Sequence, residues 1–315
     1  MVAFSSSANH ETLAHSADGV AKIKKWSPVF GRSMQQQAGE VEMEKIHAHR
    51  LFFGDLITAK AGLPLGNELA AALASTPREQ FVGEPPWKIL TPIGYIKTPS
   101  DDPAFLYQDI VVSLAGDGPL NNGEPSLHAL CLAALAVRKS ERVVHVGAGT
   151  GYYTAVLAKL VGHGGAVEAY EIERNLAQRA MENLAAFRHV TVKSQSGTEG
   201  PLPECDLIYV NAGATEPLSV WLDALRPNGR LLFPMTSAAG VGAMLLIKKQ
   251  ENSTFAARFL VQAQFVPCIG ARNESTAQKL TDAFRDGRWS KVRSLHRNDQ
   301  PDDSCWCYGS GWWLS

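Results

Sequence analysis

Between residues 142 and 234, short apolar runs alternate with stretches of helical spacing. The runs at 142–146, 166–170, 189–193, 206–210 and 229–234 predict strands, and the stretches at 153–160, 174–186 and 217–225 predict helices. That alternation predicts an α/β fold, a mostly parallel sheet with helices on both faces. After Pro234 the rhythm changes. Residues 243–249 and 255–265 read as strands separated by Asn252-Ser253, an antiparallel hairpin. Upstream, Val41 to Lys60 has helical spacing and stops at Gly62, and Asn67 caps a short helix to Ala74. Residues 106–114 read as a strand, 116–125 as a loop, and Ser126 as the cap of a helix through Val137. Ser275 is expected to cap a helix through Arg285, ended by Gly287.

The most informative junction is Val143-Val144-His145-Val146-Gly147-Ala148-Gly149-Thr150-Gly151-Tyr152, a strand, a glycine turn and a helix start. Such a turn brings backbone N–H groups and the positive end of a helix dipole to a ligand, and suits the nucleotide part of a cofactor. The spacing is G-x-G-x-G, not the G-x-G-x-x-G of dinucleotide enzymes, which favours S-adenosyl-L-methionine over NAD. Glu171 ends the next strand roughly twenty residues on, where an acid accepts hydrogen bonds from ribose hydroxyls. Gly147, Gly149, Gly151, Glu171, Ser196 and Asn211 all fall at carboxyl ends of predicted strands, with Tyr152 and Thr154 just after the turn. These eight are the candidate cofactor-binding residues, Tyr152 and Thr154 toward the methionine part and Asn211 also toward an acceptor.

Composition narrows the classes. The 315 residues are 45% hydrophobic with formal net charge −1, which points away from nucleic-acid and membrane surfaces. No run of eighteen apolar residues predicts a membrane helix, and the N-terminus lacks the charged start and apolar core of a signal peptide. A cytoplasmic protein is expected. Five scattered cysteines do not form a disulfide framework, and Cys305-Trp306-Cys307 lacks a second pair at zinc spacing, so no metal is expected. Four of the seven tryptophans lie in the irregular tail from Trp289 onward. The tail packs on the domain or covers part of the pocket. The expected organisation is a flexible extension over 1–40, a core over 41–274 with a helical cap at 41–115, and a helix and Trp-rich tail over 275–315.

With these residues laid out, the chain from about Ala70 to Ala271 resembles the protein-L-isoaspartate O-methyltransferase family. The resemblance is carried by Pro77-Arg78-Glu79-Gln80-Phe81-Val82, by Val143–Ala158, by Glu171 followed by Leu176, by Pro227–Pro234, by Leu245–Lys248 and by Phe265-Val266-Pro267. It implies a Rossmann-like class I methyltransferase fold with a seven-stranded sheet and a C-terminal antiparallel hairpin. It also implies S-adenosyl-L-methionine as methyl donor and in-line O-methyl transfer to a carboxylate of a protein, a peptide or a small molecule.

Three departures stand out. Aligned on Pro125 and His128-Ala129, the family's substrate-loop serine is Gly123, and its Thr-Ile is Asn121-Asn122. The acid expected before the glycine turn is His145, and the pair that faces the adenine is Gln195-Ser196. From these departures, loss of isoaspartyl repair is expected. Asn121 and Asn122 are candidate hydrogen-bond donors to the acceptor, and Glu124 a candidate partner for an ammonium or a cationic acceptor. These three are the candidate catalytic residues. His128, flanked by Leu127 and Leu130, reads as a satisfied core histidine, and Tyr107 and Asp109 as pocket or packing residues. The other readings are a non-catalytic relative that keeps the cofactor pocket and an NAD-dependent oxidoreductase. The sequence leaves the acceptor and the oligomeric state open.

Overall fold

The computed structural model describes residues 34–116 and 118–315. Expectations for residues 1–33 lie outside the described residues, and 34–40 form the first turns of α1 (Met34–Lys60). The compact unit is Glu42–Ser315. Within it follow α2 (Glu68–Ala74), the hairpin β1 (Lys88–Thr91) and β2 (Gly94–Lys97), and α3 (Pro125–Leu135). The alternating region is β3 (Arg142–Val146), α4 (Tyr152–Val161), β4 (Ala166–Tyr170), α5 (Arg174–Asn183), β5 (Val190–Lys193), β6 (Cys205–Val210), α6 (Ser219–Ala224) and β7 (Leu225–Thr236). It continues into β8 (Val241–Lys249), β9 (Phe255–Gln264), α7 (Glu274–Asp286), β10 (Ser294–Arg297), β11 (Cys307–Gly309) and β12 (Trp312–Leu314).

Ten strands form one sheet in the order β11-β12-β10-β9-β8-β7-β6-β3-β4-β5. Strands β5, β4, β3, β6 and β7 run parallel, while β8 and β9 continue as an antiparallel meander. Seven of these strands, β3 to β9, are the class I core expected from the sequence. Strand order reverses between β3 and β6, so the loops leaving their carboxyl ends diverge and open a crevice there.

The parallel strands read as nearly continuous apolar runs because helices cover both faces. On one face Val143, Leu207, Tyr209, Leu232 and Met244 pack with Leu73, Leu132, Leu135 and Leu157 of the helices. On the other, Val144, Val146, Ile208, Val210, Phe233 and Leu245 pack with Trp221 and Leu280. Each fully buried aliphatic contributes about 1.5–3 kcal/mol to this core.

Several elements differ from their sequence reading. Residues 106–114 are not a strand. Tyr107 is buried, with its hydroxyl between Glu79 and Arg50, and the segment ends in isolated bridges Ile89 to Val112 and Ser113 to Asn121. Helix α3 is capped at Glu124 with Pro125 in its first turn, not at Ser126. Helix α7 is capped by Asn273, whose side chain accepts from Thr276 N–H, not by Ser275. The segment expected as a helical cap also carries the β1–β2 hairpin.

The largest difference is the tail, which is not irregular. Strand β10 pairs with β9, β12 with β10 and β11 with β12, so the tail covers the edge of the meander. Phe259 gathers Phe284, Trp289 and Trp306 at ring-centroid distances of 5.6, 5.9 and 5.1 Å. That cluster is why a tryptophan-rich segment holds an otherwise short set of strands.

Candidate active site

The crevice is a cavity of about 1120 Å³, bounded by the loops after β3, β4 and β6, the start of α3, and the β8–β9 meander. Valines of β3 anchor the glycine turn from below. Gly147 has φ 76, a left-handed conformation that an L side chain rarely adopts, and this conformation rather than crowding calls for glycine, since a Cβ there would meet the Asn211 backbone only at an ordinary 3.4 Å. Gly149 N–H donates to Glu171 Oε2 at 2.6 Å, and Glu173 N–H donates to Oε1 at 2.9 Å. Burial pushes the Glu171 carboxyl above its ordinary value, against backbone N–H bonds from Glu173, Gly149 and Ile172 that pull it down.

Most predicted residues meet at this cavity. Gly147, Gly149, Tyr152, Glu171, Ser196 and Asn211 line it, and so do Asn121, Asn122 and Glu124. Two candidates do not line it. Thr154 is fully buried below the floor, its hydroxyl 2.8 Å from His145 Nδ1. Gly151 starts α4 against α5, where a Cβ would meet Leu184 Cδ1 at 2.7 Å. Both serve the packing that shapes the turn, a role identical in sequence spacing to ligand contact. Tyr152 is only partly a wall residue, since its ring packs edge-on against Phe81 at 5.5 Å.

The acceptor-side asparagines are largely engaged within their loop. Asn121 Oδ1 accepts Gly123 N–H at 2.9 Å, and its Nδ2 donates to the Pro119 carbonyl at 2.9 Å. Asn122 Oδ1 accepts Val112 N–H at 2.7 Å, which leaves Nδ2 without a partner among the described residues. Glu124 is exposed at the start of α3 and makes no side-chain cap bond. Ser196 Oγ lies 2.7 Å from Thr198 Oγ1. Tyr107 and Asp109 are absent from the wall. Asp109 instead pairs with Lys60 and accepts Ser126 N–H at 2.9 Å.

Two buried histidines lie beneath. His145 Nε2 accepts from Asn211 Nδ2 at 2.8 Å, so its ring proton is on Nδ1 and goes to Thr154. Asn211 Oδ1 is left buried without a partner among the described residues. Burial holds the His145 pKa at about 3, and burial with the neighbouring His145 and Arg78 holds His128 at about 3. The wall also includes residues the sequence did not single out, notably Leu90, Gln262, Gln264 and Ile269. The alternation of Gln262 and Gln264 on β9 was the available signal. The tail residues 289–315 line none of it.

The sequence profile of Protein-L-isoaspartate(D-aspartate) O-methyltransferase matches residues 56–273. The chain belongs to the protein-L-isoaspartate O-methyltransferase family. A protein-L-isoaspartate O-methyltransferase of Brucella anthropi is 30% identical over 205 residues, 63% of this chain and 84% of the relative. One of Marinobacter nauticus is 33% identical over 206 residues, covering 63% and 83%. A solved protein-L-isoaspartate O-methyltransferase superposes with TM-score 0.59 at 24% identity, covering 79% of this chain and 72% of that one. A Plasmodium falciparum structure of the same description, in complex with S-adenosyl-L-homocysteine, has TM-score 0.56 at 18% identity and covers 70% and 98%. The two structures share the fold.

As a member of this family the chain is an S-adenosyl-L-methionine-dependent O-methyltransferase, and the NAD-dependent reading falls away. The relatives are named for isoaspartate, so the comparisons lend no support to the expectation that isoaspartyl repair is lost. The residues fit the donor. Gly147 and Gly149 bring side-chain-free backbone to the cavity wall, Glu171 offers a buried acceptor, and Asn211 Oδ1 is an unpartnered polar atom on the same wall.

Proposed function

We propose that this enzyme methylates a carboxylate on a protein or peptide acceptor. The observation that carries the reading is the chemistry of the acceptor wall. A hydroxyl or amine acceptor requires a general base, whereas a carboxylate requires none. The polar side chains lining the wall around Gly123 are the Asn121 and Asn122 amides, the Glu124 carboxylate, which is exposed to solvent at the start of α3, and the buried His128 imidazole, which is held neutral and weakly basic with a pKa of about 3. Such a wall suits hydrogen-bond donation to a carboxylate better than proton abstraction.

The wall also supports a polypeptide over a small acid. Leu90, Val241 and Ile269 remain 44%, 43% and 62% exposed at its edge, an apolar margin for side chains flanking the reacting residue. On the donor side, Glu171 is assigned to the ribose hydroxyls, and Ser196 and Asn211 to neighbouring parts of the cofactor. Asn122 Nδ2 is assigned to the acceptor carboxylate, and Glu124 to a cationic group beside it. When bound, S-adenosyl-L-methionine supplies an electrophilic methyl on a sulfonium. The chain's part is to align acceptor and donor and exclude water.

Radiolabelled methyl transfer to an isoaspartyl peptide, to its aspartyl counterpart and to small carboxylic acids tests this. A base-labile product on a peptide is expected. A base-stable product, or turnover confined to small acids, overturns it. The names of the relatives make the isoaspartyl peptide the reference acceptor.

A further inference from the structure

His128 reads from sequence as a core residue, yet one of its atoms is not used by the core. The ring is fixed on its faces and at Nδ1. It stacks on Tyr153 with centroids 3.7 Å apart and 13° between planes, and it meets Tyr209 and Phe265 edge-on at 5.9 and 6.3 Å. Nδ1 lies 2.7 Å from the Tyr209 hydroxyl. Nε2 has no hydrogen-bond partner among the described residues, is not among the sealed polar atoms, and belongs to a residue on the cavity wall.

Nε2 also lies where a side chain at position 123 would be. A Cβ on Gly123 would fall 2.1 Å from Nε2 and 2.8 Å from Cδ2. Gly123, with φ 72, therefore permits the imidazole edge to reach the acceptor wall. The tautomer follows from the partners. Tyr209 is buried and keeps its phenolic proton, which needs an acceptor. A neutral imidazole nitrogen is a far better one than the Cys131 sulfur, the other group in contact. With Nδ1 accepting, the ring proton is on Nε2.

We propose that the His128 Nε2–H donates a hydrogen bond to the acceptor carboxylate, from the place a side chain at position 123 would fill. This assignment rests on the carboxylate reading above. Tyr209 is then a positioning residue. It fixes the tautomer and aims the ring, and Tyr153 holds it flat.

Two substitutions of opposite geometry test it. The His128→Asn amide can stand in for Nδ1 and keep Tyr209 satisfied, but nothing reaches the place of Nε2. The His128→Gln amide reaches the place of Nε2 but abandons Tyr209. Methyl-ester formation on isoaspartyl and aspartyl peptides is measured alongside calorimetric affinity for S-adenosyl-L-methionine and melting temperature. Expected is a loss of about 30-fold or more in kcat/KM for His128→Asn, mostly as a raised acceptor KM, with partial retention in His128→Gln and donor affinity unchanged in both. A purely structural histidine gives the reverse ranking, and that ranking overturns the proposal. Should His128→Gln fail to fold, a His128→Asn protein that folds and keeps wild-type kcat/KM overturns it equally. If the wild-type protein forms no base-labile ester on either peptide, the carboxylate reading itself fails and this assignment with it, a result distinct from either ranking.

Discussion

Glu171 holds the glycine turn directly, its Oε2 accepting the Gly149 N–H at 2.6 Å across the gap between β4 and β3. The acid is thus both a candidate ligand for ribose and a brace for the loop that surrounds the donor. Glu171→Ala should weaken S-adenosyl-L-methionine binding by about 1–3 kcal/mol, roughly 5- to 150-fold in Kd. Glu171→Gln, which keeps an acceptor oxygen, should lie between. Calorimetric titration checks this, and unchanged affinity in Glu171→Ala removes the residue from the site.

The two buried histidines set a pH dependence of stability. For each the folded pKa is depressed to about 3, while the unfolded chain protonates near the ordinary 6.5. The unfolded state therefore binds protons first as pH falls, and stability drops below about pH 6.5 by up to about 1.4 kcal/mol per pH unit per histidine. Glu171, shifted upward, opposes this in sign as pH approaches the carboxylate range, but it is one group against two. Urea midpoints measured from pH 7.5 to 5 should fall, and His145→Gln should flatten the slope. A slope identical to wild type would show that His145 is not held neutral.

Arg230 ties the end of α3 to the sheet. Its guanidinium donates to the Leu135 carbonyl at 2.7 Å and the Ala136 carbonyl at 2.9 Å, and it grips Glu141 through both nitrogens at 2.7 and 3.0 Å. Both side chains are about nine-tenths buried. Arg230→Ala should cost about 3–5 kcal/mol, because it leaves the mostly buried Glu141 carboxylate without its ion-pair partner and the Leu135 carbonyl without its donor. Lysine cannot reproduce the fork, so Arg230→Lys should recover little. Denaturant titration decides, and a cost below about 1 kcal/mol in the alanine variant would contradict this reading.

Restoring a serine at position 123 should harm this protein. Gly123 has φ 72, and the added Cβ would collide with the His128 ring. Gly123→Ser should lose about 1–3 kcal/mol of stability from backbone strain and a displaced imidazole, with lower methyl transfer. A variant as stable as wild type and more active on isoaspartyl peptide would show that the loop refolds to accept the serine.

The tail makes a further stability test. Trp306 packs on Phe259 and Phe284, both at centroid distances of 5.1 Å, and its Nε1 donates to the Gly287 carbonyl at 3.0 Å. Trp306→Ala should cost about 2–4 kcal/mol and leave donor affinity unchanged, since no residue of the tail lines the cavity. A loss of donor affinity with little change in melting temperature would reverse this view of the tail.

Much of this protein was legible in its order of residues. The strand–helix alternation, the late hairpin, the glycine turn and the acid at the end of β4 follow from local period and turn chemistry, which neighbouring residues determine. So does the Asn67 cap, whose side chain accepts Ala70 N–H. Tertiary structure decided what each polar atom faces. Thr154 and Gly151 share their spacing with ligand-contacting residues, yet they serve His145 and Leu184. The tail became three strands because the edge of β9 offered unpaired backbone groups. His128 and Tyr209 are separated by 81 residues, and only their packing across the sheet turns one imidazole nitrogen inward and leaves the other at the cavity. Sequence period fixes which face of an element is buried, while the direction of a single buried nitrogen depends on partners that folding alone brings together.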